Sequence, residues 1–351
     1  MKPPPLPHSA VPQSINYLIL ALTTRCNLRC RYCYHGDTPG RQDMGSATLE
    51  RAFARAASGS GPLHIQLTGG EPCLVPDLIE EACERARSLS RPYTMGLQSN
   101  GTCLTPEVIE LCRTFGLQVG ISLDGSPKTQ QSLRGQAAET LRGLMLLESE
   151  QIPFRVTAVV SGENVGQLDR LAWLLSAFRQ ARGIGLDLLV KKGSAENVEY
   201  KPIPATAEAL KGGVCSLTKA LAAINTQRKI PLRLREWDLV RRMLHRDRRM
   251  APRNFCQAAQ GGSLAVHPDG RWFPCNQTLG DERFVIDPEA NYSSVILSAE
   301  LSTFGQDCGE CPLSGCCPND CPSRLLYNPP VVRTLACTLY QTLASASMAD
   351  Q

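Results

Sequence analysis

From Ile15 to about Val190 the sequence repeats one theme: a short β-rich run, then a helix-like run, at roughly 30-residue spacing. "INYLILALT" (Ile15–Thr23) precedes "SATLERAFARAAS", "LHIQLTGG" precedes "DLIEEACERARSL", and "YTMGLQSNG" precedes "TPEVIELCRTF". "LQVGISLDG" precedes "AAETLRGLMLLES", "FRVTAVVSG" precedes "VGQLDRLAWLLSAF", and "GIGLDLLV" closes the series. Strands joined by helix-length connections pair in parallel, so six such units predict an α/β fold, a partial (β/α)6 TIM-like barrel. Chemistry in such barrels collects at the C-terminal ends of the strands. The distinctive short sequences sit there: Cys26 follows the first strand, "TGGEP" the second, "SNGT" the third and "SLDG" the fourth.

The chain of 351 residues holds 16 cysteines. Its start, "MKPPPLPHSAVPQ", is proline-rich and lacks the apolar core of a secretion signal. No apolar run reaches the ~18 residues that span a membrane. A reducing cytoplasm is therefore the expected location, where clustered cysteines are metal ligands or catalytic thiols more often than disulfides. A net charge of +4 and 5% aromatic residues give no reason to expect nucleic acid as a partner.

Three cysteines, Cys26, Cys30 and Cys33, lie within "TRCNLRCRYCY" (Thr24–Tyr34). Thiolates at C-x3-C-x2-C suit one side of a [4Fe–4S] cube, which takes one ligand per iron and here would keep one iron open. Structural zinc is four-coordinate and closed. Zinc, or a chance grouping, is the alternative from spacing alone.

The stretch resembles the radical S-adenosylmethionine (radical SAM) family, whose signature C-x3-C-x-aromatic-C is met by Cys26, Cys30, Tyr32 and Cys33. "TGGEP" (Thr68–Pro72) resembles the family's second motif, and the family fold is a partial or full βα barrel. The resemblance implies that the open iron chelates S-adenosylmethionine. Reductive cleavage then gives a 5′-deoxyadenosyl radical that takes hydrogen from a substrate. It implies cofactor contacts at Gly69, Gly70 and Glu71 for the methionine amino group and at Tyr32 near the adenine. Asn100, Ser122 and Arg134 are candidates for the ribose and carboxylate. The plainer readings are a Gly-Gly turn at a strand end and, for Arg134, a solvated surface arginine. Strand alternation puts His64, Gln66 and Thr68 on one face, and Ser122 with Asp124 on one face. Gln66 and Asp124 are therefore expected at the barrel mouth as candidate catalytic residues, or else as a buried polar pair without a chemical role.

The tail reads Cys256-x13-Gly270-x4-Cys275, then Cys308-x2-Cys311-x5-Cys317-x3-Cys321, then Cys337. This is similar to the SPASM domain behind many radical SAM barrels. The resemblance implies two auxiliary [4Fe–4S] clusters, one on Cys256, Cys275 and Cys321, the other on Cys308, Cys311, Cys317 and Cys337. With the SAM-binding cluster that makes three. The first auxiliary set has three thiols, so an open iron is expected there, with Cys316 a nearby intruder. Zinc is the alternative for this region. Cys83, Cys112, Cys73, Cys103 and Cys215 read as small apolar residues.

The expected organisation is a flexible segment 1–14, a barrel 15–235, a linker helix 236–255, a small loop-rich, cysteine-rich iron–sulfur domain 256–340 and a tail 341–351. "LAVHPDGRWF" reads as a hairpin turning at Pro268–Gly270. SPASM enzymes most often act on peptides, forming carbon–carbon or thioether crosslinks in ribosomal peptides or oxidising a sulfatase residue. The base expected of sulfatase maturases, an aspartate after the cysteine matching Cys275, is here Asn276. The expected function is hydrogen abstraction from a ribosomally synthesised precursor peptide, with a separate leader-recognition protein and an electron donor such as flavodoxin or ferredoxin. Oxidation of a small molecule such as a tetrapyrrole or cofactor precursor is the second reading. A non-catalytic iron–sulfur or zinc scaffold is the third. The stretch Arg233–Arg249 is either a surface for an acidic peptide or the solvated face of an amphipathic helix.

Overall fold

The structure, a computed structural model, describes residues 14–36, 40–196, 202–246, 255–287 and 308–349. Most of the expected N-terminal segment, most of the second half of the expected linker helix and residues 288–307 lie outside the described residues.

The six expected strands form: β1 Tyr17–Ala21, β2 Leu63–Thr68, β3 Tyr93–Ser99, β4 Gln118–Ser122, β5 Phe154–Val160 and β6 Ala181–Leu188. Each pairs in parallel with the next. Helices α1 Ser46–Ala57, α2 Pro76–Arg87, α3 Pro106–Thr114, α5 Ala137–Ser149 and α6 Leu168–Ser176 connect them. Local signals set several starts. Pro76 and Pro106 occupy first turns, where a missing N–H costs nothing, and the Thr105 hydroxyl accepts from Val108 N–H. An additional helix, α4 Pro127–Leu133, follows β4 and is capped by the Ser126 hydroxyl.

The outer face of the sheet is apolar. Leu18, Leu20, Ile65, Leu97, Ile121 and Val156 are buried in one cluster with Leu49, Phe53, Ile79, Val108 and Leu144 from the helices. The inner face carries long polar side chains lying over glycines. Gln66 is paired with Gly96, and Gln98 with Gly120. A Cβ on Gly96 would sit 2.9 Å from Gln66 Oε1, and one on Gly120 would sit 2.4 Å from Gln98 Oε1. The glycines thus give each glutamine a place to lie.

The sheet does not stop at the barrel. A short strand, β7 Arg233–Leu234, joins β6 at one edge. At the other, β8 Ser263–Val266 pairs in parallel with β1, and β9 Trp272–Phe273 pairs antiparallel with β8. The hairpin expected around Pro268–Gly270 forms, closed by His267 N–H to Arg271 O at 3.0 Å. It extends the barrel's own sheet, so no break in the sheet marks a boundary near residue 250. The physical reason is the exposed edge of β1, whose N–H and C=O groups need a partner. Ile19 and Ala21 on the inner face of β1 pack with Ala265, Phe273, Leu279 and Phe284.

Helix α8 spans Arg235–Leu244 and is capped at His245, within the expected 236–255, of which 247–254 lie outside the described residues. The expected tail from 341 is instead the continuation of a helix: after α9 (Pro322–Tyr327), α10 spans Leu335–Ala349. Leu339, Leu343 and Ala344 are buried, and Trp237 Nε1–H donates to Ser347 Oγ at 2.7 Å. That packing supplies what the uncharged sequence could not signal by itself. Among the described residues no helix is long and apolar enough to cross a membrane.

Helix α7, Ala207–Asn225, carries Gly212 and Gly213 side by side. Gly212 is exposed with nothing within 4 Å of an added Cβ, whereas a Cβ on Gly213 would lie 2.0 Å from Val165 O. Gly212→Ala is expected to raise stability by about 0.4–1 kcal/mol through helix propensity. Gly213→Ala is expected to lower it by about 1–3 kcal/mol through overpacking. Thermal unfolding of the two variants measures the difference in sign.

Candidate functional site

The cysteine loop is held by backbone contact with the turn after β2. Gly70 N–H donates to Thr23 O and Glu71 N–H to Arg25 O, both at 2.8 Å. Gly69 has φ +143°, a conformation that side chains resist, and its Cβ would lie 2.4 Å from Thr23 O. A Cβ on Gly70 would lie 2.2 Å from Arg25 O. The glycines are therefore required by the chain's own loop, whatever else approaches them.

Glu71 differs from expectation. Its carboxylate is fully buried and turned inward, accepting from Cys73 N–H at 3.1 Å, Ser99 Oγ–H at 2.8 Å and Asn100 N–H at 2.7 Å. Burial raises its pKa, and these hydrogen bonds oppose the rise. The side chain organises the strand ends instead of facing the cavity. Asn100 passes the connection on: its Nδ2–H donates to Asn27 Oδ1 at 3.0 Å and lies 4.0 Å from Cys26 Sγ.

Asp124 lies just past the end of β4 and is buried. Strand β4 ends at Ser122, and the chain turns through Leu123 and Gly125, so the two-residue alternation stops short of Asp124. Its carboxylate is buried and fully engaged. Arg134 Nε–H and Nη2–H donate to it at 2.9 and 3.2 Å, Val159 N–H at 2.9 Å, and the Tyr32 hydroxyl completes the set. Arg134, capping α4, is buried too, with its guanidinium carbon 5.2 Å from the Tyr32 ring centroid. Burial works against its charge, but Asp124, Tyr32 and Cys30 outweigh that and hold its pKa well above the ordinary value. Arg31 N–H donates to Leu133 O at 3.0 Å, tying the same helix to the cysteine loop.

A cavity of about 1540 Å³ opens at these strand ends. Gln66, Ser122, Tyr32, Asn100 and Arg134 line it, as do Gly69 and Gly70. Gln98 Nε2–H donates to Ser122 Oγ at 3.1 Å, while Gln66 lies 3.5 Å from His64 Nε2. Cys26, Cys30 and Cys33 share the lining with Cys256, Cys275 and Cys321.

The ten cysteines fall into three neighbourhoods. Burial, then the nearby Cys33 and Cys26 thiols, push Cys30 up to about 12; burial, then Glu71 and Cys33, push Cys26 up to about 11. Burial and the thiols of Cys321 and Cys256 push Cys275 up to about 12, and burial with Cys321 raises Cys256. Burial, with Cys337, Cys311 and Cys308 as neighbours, pushes Cys317 up to about 11, and burial with Cys308 and Cys311 raises Cys337. The thiols that raise each of these cysteines belong to its own set. Such thiols stay protonated near neutral pH as free groups, and metal ligation is the chemistry that draws the protons off. Among the described residues no three His, Cys, Asp or Glu side chains converge tightly enough for a single metal ion. Cys316 is buried and donates from Sγ to Leu313 O at 3.3 Å.

Several contacts at the site join residues far apart in the sequence. Asn276 Nδ2–H donates to the Tyr34 hydroxyl, joining the residue after Cys275 to the residue after Cys33. Lys192, beyond β6, donates from Nζ to Gln277 O and Leu279 O, both at 2.8 Å, while Ser194 N–H donates to Cys33 O at 2.8 Å. Asp187, near the end of β6, lines the cavity and pairs with Arg235 at 2.7 Å. Strand-end position was the available signal for Asp187; the others depend on long-range docking.

Residues 20–175 match the Radical SAM superfamily. That segment is a radical SAM domain. It contains the cysteine loop, the Gly69–Glu71 turn and strands β2 to β5 whole. The chain is 31% identical over 185 residues to uncharacterized protein MJ0907 of Methanocaldococcus jannaschii, covering 51% of this chain and 64% of that one. It is 26% identical over 359 residues to a serine-type anaerobic sulfatase-maturating enzyme of Klebsiella aerogenes, covering 91% and 82%. Its fold is similar to native anSMEcpe with bound AdoMet and Cp18Cys peptide, with a TM-score of 0.74, 17% identity and coverage of 95% and 96%. The likeness in fold therefore runs past the radical SAM domain into the cysteine-rich C-terminal region. A radical SAM domain implies S-adenosylmethionine and a [4Fe–4S] cluster.

Removing one partner of a buried ion pair strands the other charge, so Asp124→Ala is expected to cost about 3–5 kcal/mol. The double variant Asp124→Ala, Arg134→Met is expected to cost less than the sum of the single changes. A double-mutant cycle by denaturant unfolding reads that coupling.

Proposed function

We propose that the chain is a radical SAM enzyme that abstracts hydrogen from a ribosomally synthesised peptide, leaving it crosslinked through a carbon–carbon or thioether bond or otherwise oxidised. One observation carries this reading: the cysteine set of the radical SAM loop and that of Cys256, Cys275 and Cys321 line a single cavity. The similarity to a sulfatase-maturating enzyme over most of the chain supports a peptide or protein as the substrate class.

Cys26, Cys30 and Cys33 would hold the SAM-binding cluster, with two auxiliary clusters on the remaining seven cysteines. When bound, S-adenosylmethionine and its cluster would supply the 5′-deoxyadenosyl radical. The chain's own part is placement. Tyr32 and Arg134 form a rigid buried wall, fixed by Asp124, beside the cysteine loop. Gly69 and Gly70 set the loop's path. Gln66 and Ser122 offer polar groups on the inner face of the sheet. With three thiols in its set, the first auxiliary cluster would keep an iron open to substrate, water or a non-cysteine ligand. Asn276 stands where sulfatase maturases carry an aspartate, so proton removal by that side chain is not part of the reading. A flavodoxin or ferredoxin would supply the electron.

Anaerobic reconstitution is expected to give about 12 iron per chain, from three four-iron cubes. Cys26→Ala should lower that count by about four and abolish reductive cleavage of S-adenosylmethionine. One or two zinc ions with no cleavage would favour the scaffold reading. Mass spectrometry of a precursor peptide encoded beside this chain and co-expressed with it should show a loss of two hydrogens. An unchanged peptide, with a tetrapyrrole precursor oxidised instead, would favour the small-molecule reading.

A further inference from the structure

The cavity is electrostatically one-sided. Its lining carries one carboxylate, Asp187, already paired with Arg235. Against it stand basic groups from two separate elements: Arg29 and Arg31 on the cysteine loop, and Arg242, His245 and Arg246 at the end of α8. Arg31 lies 3.6 Å from Glu163, and Arg134 is taken up by Asp124. Arg29 and Arg242 are exposed and make no ion pair among the described residues. The helix dipole accounts for basic residues in the last turn of α8. It does not account for Arg29, which sits on a loop of the barrel and shares the same cavity.

Like charges gathered on low-dielectric walls focus the field into the opening and raise the local concentration of oppositely charged ligands. We propose that the segment seated in this cavity is acidic, a peptide carrying Asp or Glu close to the residue that is modified. This rests on the peptide reading above and names the class of peptide. The basic rim steers the segment inward, and Arg29 and Arg242 hold its carboxylates from two sides of the lining. The modified residue is then presented beside the cysteine loop.

The test uses the anaerobic, cluster-loaded full chain and a pool of short synthetic peptides with acidic, neutral and basic members in equal amounts. Retained peptides are identified by mass spectrometry. Acidic members should dominate at low salt, and their capture should fall about tenfold on reaching an ionic strength of about 0.15 M. The double variant Arg29→Gln, Arg242→Gln should lose the acidic preference while keeping its iron content and circular dichroism. A variant that keeps the preference overturns the assignment to these arginines. Retention of neutral or basic members overturns the acidic class and leaves the peptide reading standing. Retention of no peptide sinks the peptide reading itself. Capture that is unselective among peptides and competed by an RNA oligonucleotide overturns the proposal in favour of a phosphate-bearing ligand.

Discussion

The site depends on two backbone hydrogen bonds between the turn after β2 and the loop after β1, Gly70 N–H to Thr23 O and Glu71 N–H to Arg25 O. Each is worth only about 0.5–1.5 kcal/mol net. Their importance lies in what they align. The same turn delivers the Glu71 carboxylate to the end of β3, where Ser99 and Asn100 donate to it. Asn100 then reaches Asn27 and Cys26. The tie between the Cys33 carbonyl and Ser194 N–H brings in the segment after β6. The Arg31–Leu133 bond brings in α4. Successive strand ends thus grip one short loop, and the positions of its three thiols follow from the geometry of the sheet.

The second organising feature is the inner face of the barrel. Glutamines lying over glycines keep that face polar and thin. The cavity it leaves is lined by Gln66 and Ser122 as well as by cysteines of both regions. The C-terminal region closes it by adding β8 to the edge of β1 and by anchoring Lys192 on the Gln277 and Leu279 carbonyls. Barrel and cysteine-rich region therefore share one sheet and one cavity.

The barrel was legible because each strand and helix announces itself over several residues, through apolar runs, helical spacing and prolines at first turns. The cysteine sets were legible because their spacing is fixed along the chain. Helix α4 was missed although Ser126 and Pro127 form a good N-terminal signal, since seven residues show little periodicity. The sequence places Glu71 beside a cofactor, and Asp124 either at the barrel mouth or in a buried polar pair. Motif position and strand alternation say where a residue sits, but not whether neighbours have already used its oxygens. The parallel pairing of β8 with β1, the docking of α10 and the Asn276–Tyr34 contact join positions far apart in sequence, so no local pattern encodes them. The basic end of α8 was visible as charge; its place on the cavity was not.

The central claim is that three thiols of the first loop hold a cluster with a corner open to S-adenosylmethionine. The direct measurement is electron paramagnetic resonance of the reduced, anaerobically reconstituted chain before and after adding that cofactor. The account predicts that part of the [4Fe–4S] signal shifts on addition, and that Cys30→Ala removes the shifting part while the auxiliary signals persist. A spectrum unchanged by S-adenosylmethionine, in protein with all its clusters intact, would contradict it.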